Sequence, residues 1–218
     1  MGPISACIFD LDGVVVDTAK YHYQAWKRLG KELNFDFTEE DNERLKGVSR
    51  MDSLNILLEI GKIELSKEDK LVYADKKNIW YKKFVMKMTP DEILPGVLNF
   101  LKELKDAGYK IALGSASKNA VAILDKLNIT HWFDVIIDGT KTEKAKPDPQ
   151  VFLLGAKGLN IDPTNCVVFE DAEAGVEAAL NAGMYCVGIG SVKVLGKAHK
   201  VMSGISEMTI EKLELLQS

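Results

Sequence analysis

The sequence predicts an α/β protein in which a doubly wound parallel sheet carries a small inserted α-helical domain. Three observations carry that prediction. An apolar, β-favouring run from Ile4 to Phe9 stops abruptly at the acids Asp10 and Asp12. Residues 21–88 place apolar side chains at helical spacing and contain no strand-like run. From residue 92 onward, strand-like and helix-like stretches alternate strictly, the pattern of βα units on a parallel sheet.

Residues 4–9 read as a buried first strand, and Gly13 permits the sharp turn after it. The helical segment begins with Tyr21, Trp26 and Leu29 and continues through Leu54, Leu57, Leu58 and Ile60. Asp52-Ser53 and the stretch from Ser66 to Asp69 read as helix starts, the second with an acidic first turn. Gly30, Gly47 and Gly61 read as breaks. The chain returns to the sheet at Glu92–Gly96. An amphipathic helix follows, with Val97, Phe100, Leu101 and Leu104 on its apolar side and Gly108 as its C-terminal cap. Strands are expected at 110–115, 133–138, 166–171 and 185–190, and helices at 119–127, 149–159 and 174–182. After Ser191 only a closing helix over 209–216 is readable. The division expected is an α/β core from residues 1–18 and 89–218, with a helical cap over 19–88 inserted after the first strand.

The 218 residues carry a net charge of −4 and a pI near 5.5. That balance argues against general nucleic-acid binding, where a basic excess is the rule. No run approaches roughly eighteen apolar residues, and the first residues lack a basic-then-apolar leader. A cytoplasmic protein with no membrane contact is expected, and a monomer. Cys7, Cys166 and Cys186 are odd in number, far apart and set in apolar runs, as buried thiols in a reducing compartment are. His22, His131 and His199 are too scattered for a His-based metal cluster.

An open parallel sheet binds its ligand outside the carboxyl ends of its strands. Here those ends carry Asp10 and Asp12, Ser115, and Glu170 and Asp171, with Lys146 in a loop after another strand. Residues two apart in an extended segment point the same way, so Asp10 and Asp12 reach one crevice. Two carboxylates that close repel unless a cation or a proton sits between them. The simplest division makes Asp10 a metal ligand and nucleophile, and Asp12 the group that gives and takes a proton. Asp171, with Glu170 beside it, completes a hard-oxygen site for Mg²⁺, joined by Asp10 and the Asp12 backbone carbonyl. Ser115 and the amides of Ala116 and Ser117 are placed to donate to phosphate oxygens. Lys146 supplies fixed positive charge and is stiffened by Pro147; Lys144 in the same loop is a competing cation. Singly, each feature has a bland reading: an acidic turn, a capped helix start, an exposed loop, an acidic helix N-terminus. Their order along the chain makes phosphoryl transfer the stronger reading.

Through Asp10-Leu11-Asp12-Gly13, Ser115, Lys146-Pro147 and Glu170-Asp171, the chain resembles the haloacid dehalogenase-like (HAD) phosphotransferase superfamily over nearly its whole length. The resemblance implies a Rossmann-like core with a helical cap inserted after the first motif. The acid at Asp12 sets the chain with the phosphoryl-transfer members and apart from the dehalogenases. Residues 17–26, 45–54 and 115–119 are similar to those of the superfamily's sugar-phosphate mutases. This implies interconversion of β-D-glucose 1-phosphate and D-glucose 6-phosphate through a phosphorylated Asp10 and β-glucose 1,6-bisphosphate, with Mg²⁺ as cofactor and a small-molecule sugar phosphate as partner. By the same resemblance, Lys46, Gly47, Val48, Ser49 and Arg50 bind the sugar or its distal phosphate. Thr18 and His22 couple cap closure to the positioning of Asp12. Trp26 and Lys77 lie near the ligand, with Ser117, Lys118 and Asn119 on the core side. Helix packing is an equal reading of Trp26, and an exposed helix position an alternative for Lys77. Ala172 stands where relatives often carry a hydroxyl. Two other functions stay open: a sugar- or polyol-phosphate phosphatase, with water as the acceptor, and a noncatalytic phosphosugar-binding protein.

Overall fold

The computed structural model describes residues 2–45 and 48–217. The chain divides into two compact units, Met1–Asp17 with Thr89–Ser218, and Thr18–Met88.

The second unit is helical: α1 (Ala19–Glu32), α2 (Glu39–Glu43), α3 (Arg50–Gly61) and α4 (Lys67–Val85). Helix α1 is amphipathic and buries Ala25, Trp26 and Leu29. Gly30 is not a break but lies within α1, where an added Cβ would meet Phe37 Cβ at 3.1 Å. Helix α3 starts at Arg50, ahead of the expected Asp52-Ser53. Ser49 is its N-cap, accepting from the Asp52 N–H (3.3 Å) and donating to the Asp52 carboxylate (2.6 Å). Helix α4 is capped by Ser66 and has Glu68 and Asp69 in its first turn, as expected. It packs on α1, and the Arg28 guanidinium lies 4.1 Å from the Trp80 ring centre.

In the first unit, six strands form one parallel sheet: β1 (Ala6–Phe9), β2 (Lys110–Gly114), β3 (Val135–Ile137), β4 (Cys166–Glu170), β5 (Tyr185–Ile189) and β6 (Lys200–Met202). Their order is β3-β2-β1-β4-β5-β6, so the winding reverses between β1 and β4. The helices of this unit are α5 (Val97–Asp106), α6 (Ala120–Lys126), α7 (Gln150–Leu159), α8 (Glu173–Asn181), α9 (Val192–Leu195) and α10 (Ile210–Glu214). Side chains alternate across β1 and β4. Ile8 and Val168 join Phe152 of α7 and Val176 of α8 in one buried cluster. Phe9 and Phe169 stack at 4.7 Å between ring centres, and Phe100 of α5 meets Phe169 edge-on at 5.6 Å.

Strand β3 is shorter than expected at both ends; at its start the Asp134 carboxylate accepts from the Ile111 N–H (2.8 Å). Two elements after Ser191, α9 and β6, had no sequence signal; they span four and three residues, too few to show a period. No helix among the described residues is long and apolar enough to cross a membrane.

Removing the ring beneath the crevice tests the packing. Phe169→Ala should lower the unfolding free energy by about 3–5 kcal/mol, read from urea denaturation.

Candidate active site

The register places the first acids. Phe9 pairs with Phe169, and the Asp10 N–H donates to Phe169 O at 3.0 Å, so Asp10 lies abreast of Glu170 where the winding reverses. Lys146, from the segment between β3 and α7, reaches both. Its Nζ lies 2.5 Å from Asp10 Oδ1 and 2.7 Å from Glu170 Oε2, with all three side chains nearly inaccessible to solvent. Lys144 is not the site cation: it is exposed and pairs with Asp148 at 3.3 Å. One carboxylate oxygen from each of Asp10, Glu170 and Asp171 lies within 4.8 Å of the others. Such a set of hard oxygens suits Mg²⁺, and three carboxylates against one ammonium leave negative charge for a divalent ion to offset.

The electrostatics follow from burial. Desolvation works against the Lys146 ammonium, yet Asp10 and Glu170 hold it well above the ordinary lysine value. Burial pushes Glu170 up, Lys146 pulls it back and Asp10 adds to the rise, leaving it at about 7. Glu170 Oε1 also accepts the Ala172 N–H (3.1 Å), which ties it to the residue before α8; Ala172 itself has no hydroxyl, and α8 has no side-chain cap.

Two glycines make room for these acids. Gly13, at φ +82°, turns the chain after Asp12, and a Cβ there would fall 2.0 Å from Asp171 Oδ2. Gly175, in the first turns of α8, would drive a Cβ to 2.0 Å from the Glu170 carboxyl carbon. Gly175 escaped the sequence reading, although an isolated glycine in a helix four residues after Asp171 is a signal of close approach. Asp12 itself is half-buried.

Ser115 is buried at the end of β2, the strand beside β1. Its Oγ accepts from the Ser117 N–H at 3.1 Å, so the amide expected to face a phosphate is turned onto Ser115. Ser117 Oγ in turn accepts from the Asn119 N–H (3.2 Å). Ala116 is half-buried, Lys118 exposed and Asn119 buried.

The remaining predicted residues belong to the helical unit. Thr18 is buried at the start of α1, its carbonyl accepting from the Tyr21 and His22 N–H groups. Lys77 is buried, with its Nζ 2.9 Å from His22 Nδ1 and 4.3 Å from the Trp26 ring centre. His22 packs on Tyr81 at 4.1 Å. Trp26 and Tyr81 are buried too, and His22 is half-buried beside them. Val48 and Ser49 are half-buried ahead of α3, and Arg50 Nη1 lies 3.5 Å from Asp75 Oδ1. Lys46 and Gly47 lie outside the described residues.

Comparison with known proteins bears on what this arrangement does. The haloacid dehalogenase-like hydrolase family model matches residues 4–183. The β-phosphoglucomutase of Bacillus subtilis is 42% identical over 212 residues, 96% of this chain and 94% of that protein. A phosphorylated carbohydrates phosphatase of Thermotoga maritima is 33% identical over 208 residues, 92% of this chain and 88% of that one. The crystal structure of a Clostridium difficile β-phosphoglucomutase superposes with a TM-score of 0.93 at 43% identity, covering 98% of this chain and 96% of that chain.

His22 offers a pH test of the helical unit. Burial, with the charges of Lys77 and Arg50, holds it well below its ordinary value of 6.5. Below about pH 6.5 the unfolded chain therefore takes up a proton that the folded chain refuses, and stability falls as pH falls. Urea titrations between about pH 7 and 5 should show a steeper loss for the natural chain than for His22→Asn.

Proposed function

This chain belongs to the haloacid dehalogenase-like hydrolase family, and on that premise we propose that it interconverts β-D-glucose 1-phosphate and D-glucose 6-phosphate, the β-phosphoglucomutase reaction. It is a phosphoryl-transferring enzyme, with relatives that include mutases and phosphatases. The observation that carries the chemistry is the buried contact of Lys146 with Asp10 and Glu170, with Asp171 beside them. It gives a carboxylate at a strand end a fixed position, a charge partner and room for a divalent ion. Phosphotransferases of this superfamily use Mg²⁺. Here Asp10, Glu170, Asp171 and the Asp12 carbonyl would hold it, and it supplies charge neutralisation on the transferring phosphoryl group.

Asp10 is the nucleophile. Its carboxylate attacks the 1-phosphate of β-glucose 1,6-bisphosphate, forming an aspartyl phosphate as the phosphorus–O1 bond breaks, and Asp12 gives the departing O1 a proton. Glucose 6-phosphate leaves. β-D-Glucose 1-phosphate then presents its 6-hydroxyl, Asp12 takes the hydroxyl proton, and the phosphoryl group passes to O6, regenerating the bisphosphate and free Asp10. Lys146 offsets negative charge on Asp10 and on the phosphoryl oxygens, and the Ser115 hydroxyl, the Ala116 N–H and the side chains of Ser117, Lys118 and Asn119 donate to those oxygens, while the Ser117 and Asn119 N–H groups stay on Ser115 Oγ and Ser117 Oγ. Arg50, with Lys46, Gly47, Val48 and Ser49, takes the sugar and its second phosphate, for which a guanidinium fork is well shaped. Trp26, Lys77, His22 and Thr18 support that recognition from the helical unit. On this reading the enzyme acts as a monomer in the cytoplasm, where its three buried thiols stay reduced.

The similarity to a phosphatase favours one competing outcome, water in place of the sugar hydroxyl at phospho-Asp10. One assay separates the two. The protein is incubated with Mg²⁺, β-D-glucose 1-phosphate and a trace of β-glucose 1,6-bisphosphate, with the α-anomer in parallel, and glucose 6-phosphate is resolved from free phosphate. Glucose 6-phosphate from the β-anomer alone is expected, lost on chelation of the metal and in Asp10→Asn. Free phosphate with little glucose 6-phosphate would replace the mutase reading with hydrolysis.

A further inference from the structure

Lys146 must hold its ammonium against two carboxylates, yet it stands in the segment between β3 and α7, which has no helix or strand of its own. What fixes that segment is a side chain outside it. Gln150, the first residue of α7, accepts through one atom, Oε1, from both the Glu143 N–H (2.8 Å) and the Lys144 N–H (2.9 Å). Its own backbone N–H donates to Asp148 Oδ1 (3.0 Å), and the Asp148 N–H donates to Ala145 O (3.0 Å). Asn181, at the end of α8, donates through Nδ2 to Pro147 O at 3.2 Å. Lys146 is thereby bracketed on both sides by side chains rooted in regular helices.

We propose that Gln150 is a positioning residue for phosphoryl transfer, acting through Lys146; the inference rests on Lys146 serving Asp10 as described above. Glu143 and Lys144 are exposed, so water can satisfy their N–H groups when Gln150 is lost. The hydrogen bonds therefore contribute little net stability, whereas a displacement of about 1 Å at a reacting group costs up to roughly a hundredfold in rate. Gln150 thus governs rate and leaves stability almost untouched.

The test compares Gln150→Met, which keeps the volume and removes the acceptor, with Gln150→Glu, which keeps an acceptor oxygen, and with Lys146→Ala. Turnover of β-D-glucose 1-phosphate is followed with Mg²⁺ and a trace of bisphosphate. Hydrolysis of acetyl phosphate, which needs transfer to Asp10 with loss of acetate and then transfer to water but no sugar, is followed beside it should the sugar phosphate not turn over. For Gln150→Met, kcat should fall roughly ten- to a hundredfold, with KM within about threefold and the thermal midpoint within about 3 °C. Gln150→Glu should return kcat to within about fivefold of the natural chain. Gln150→Ser makes the same deletion if the Met variant does not fold. A Met variant within about twofold of full kcat, or a Glu variant as slow as the Met variant, would overturn the inference. Lys146→Ala keeps the two readings apart. If it loses activity while Gln150→Met does not, only the role of Gln150 fails; if it too stays active, the role of Lys146 fails first.

Discussion

An ammonium group buried between two carboxylates is the interaction on which the sheet unit depends. Removing charges from water is expensive, and breaking such a contact by deleting one partner costs about 3–5 kcal/mol because the other charge is left uncompensated. Asp10, Lys146 and Glu170 are therefore tolerable only together, and they meet only because β1 and β4 are neighbours in register. Other local features follow from the same demand. Gly13 and Gly175 are the places where a Cβ would enter the space that Asp171 and Glu170 occupy.

The packing below the crevice makes the electrostatics exact enough to use. Phe9, Phe169 and Phe100 form a stacked and edge-on trio on one face of the sheet, while Ile8, Val168 and Phe152 fill the other. Asp10 and Glu170 sit directly on those strand ends, so their backbones have little freedom. If Asp10 is the nucleophile, as proposed, that rigidity gives it a repeatable line of approach to phosphorus. Lys146 lacks that advantage, because its segment has no regular structure, and its order has to come from side-chain contacts such as those of Gln150 and Asn181.

How much of this was readable in the sequence depends on how local the cause is. The clustering of Asp10, Lys146, Glu170 and Asp171 was legible because strand periodicity puts each at a strand end or in a following loop, where parallel sheets bind ligands. Strand β6 and α9 were not, being too short to carry a period. The start of α3 was misplaced because Ser49, a residue singled out for ligand binding, also caps the helix. Lys77 was opaque for another reason. A lysine on a helix reads as solvated, and only the fold brings His22, Trp26 and Tyr81 around it. Gln150 and Ser117 share that difficulty, since their partners are set by loop geometry and not by sequence spacing.

The choice between sugar and water at phospho-Asp10 is a question of geometry more than of intrinsic reactivity. On the proposed mechanism both acceptors are oxygen nucleophiles that would meet the same aspartyl phosphate and need the same proton taken by Asp12. In that mechanism the strand-end acids and Lys146 would stabilise either transfer, so they would not distinguish them. A hydroxyl held in line reaches effective molarities of about 10⁵–10⁸ M, enough to outrun bulk water, but only if the sugar is gripped at a point remote from the reacting phosphorus. A second phosphate on the same sugar provides that grip, and a guanidinium such as that of Arg50 is the donor shaped for it. Discrimination therefore has to reside in residues that never touch the transferring group. That is how a mutase and a phosphatase can share one set of acids.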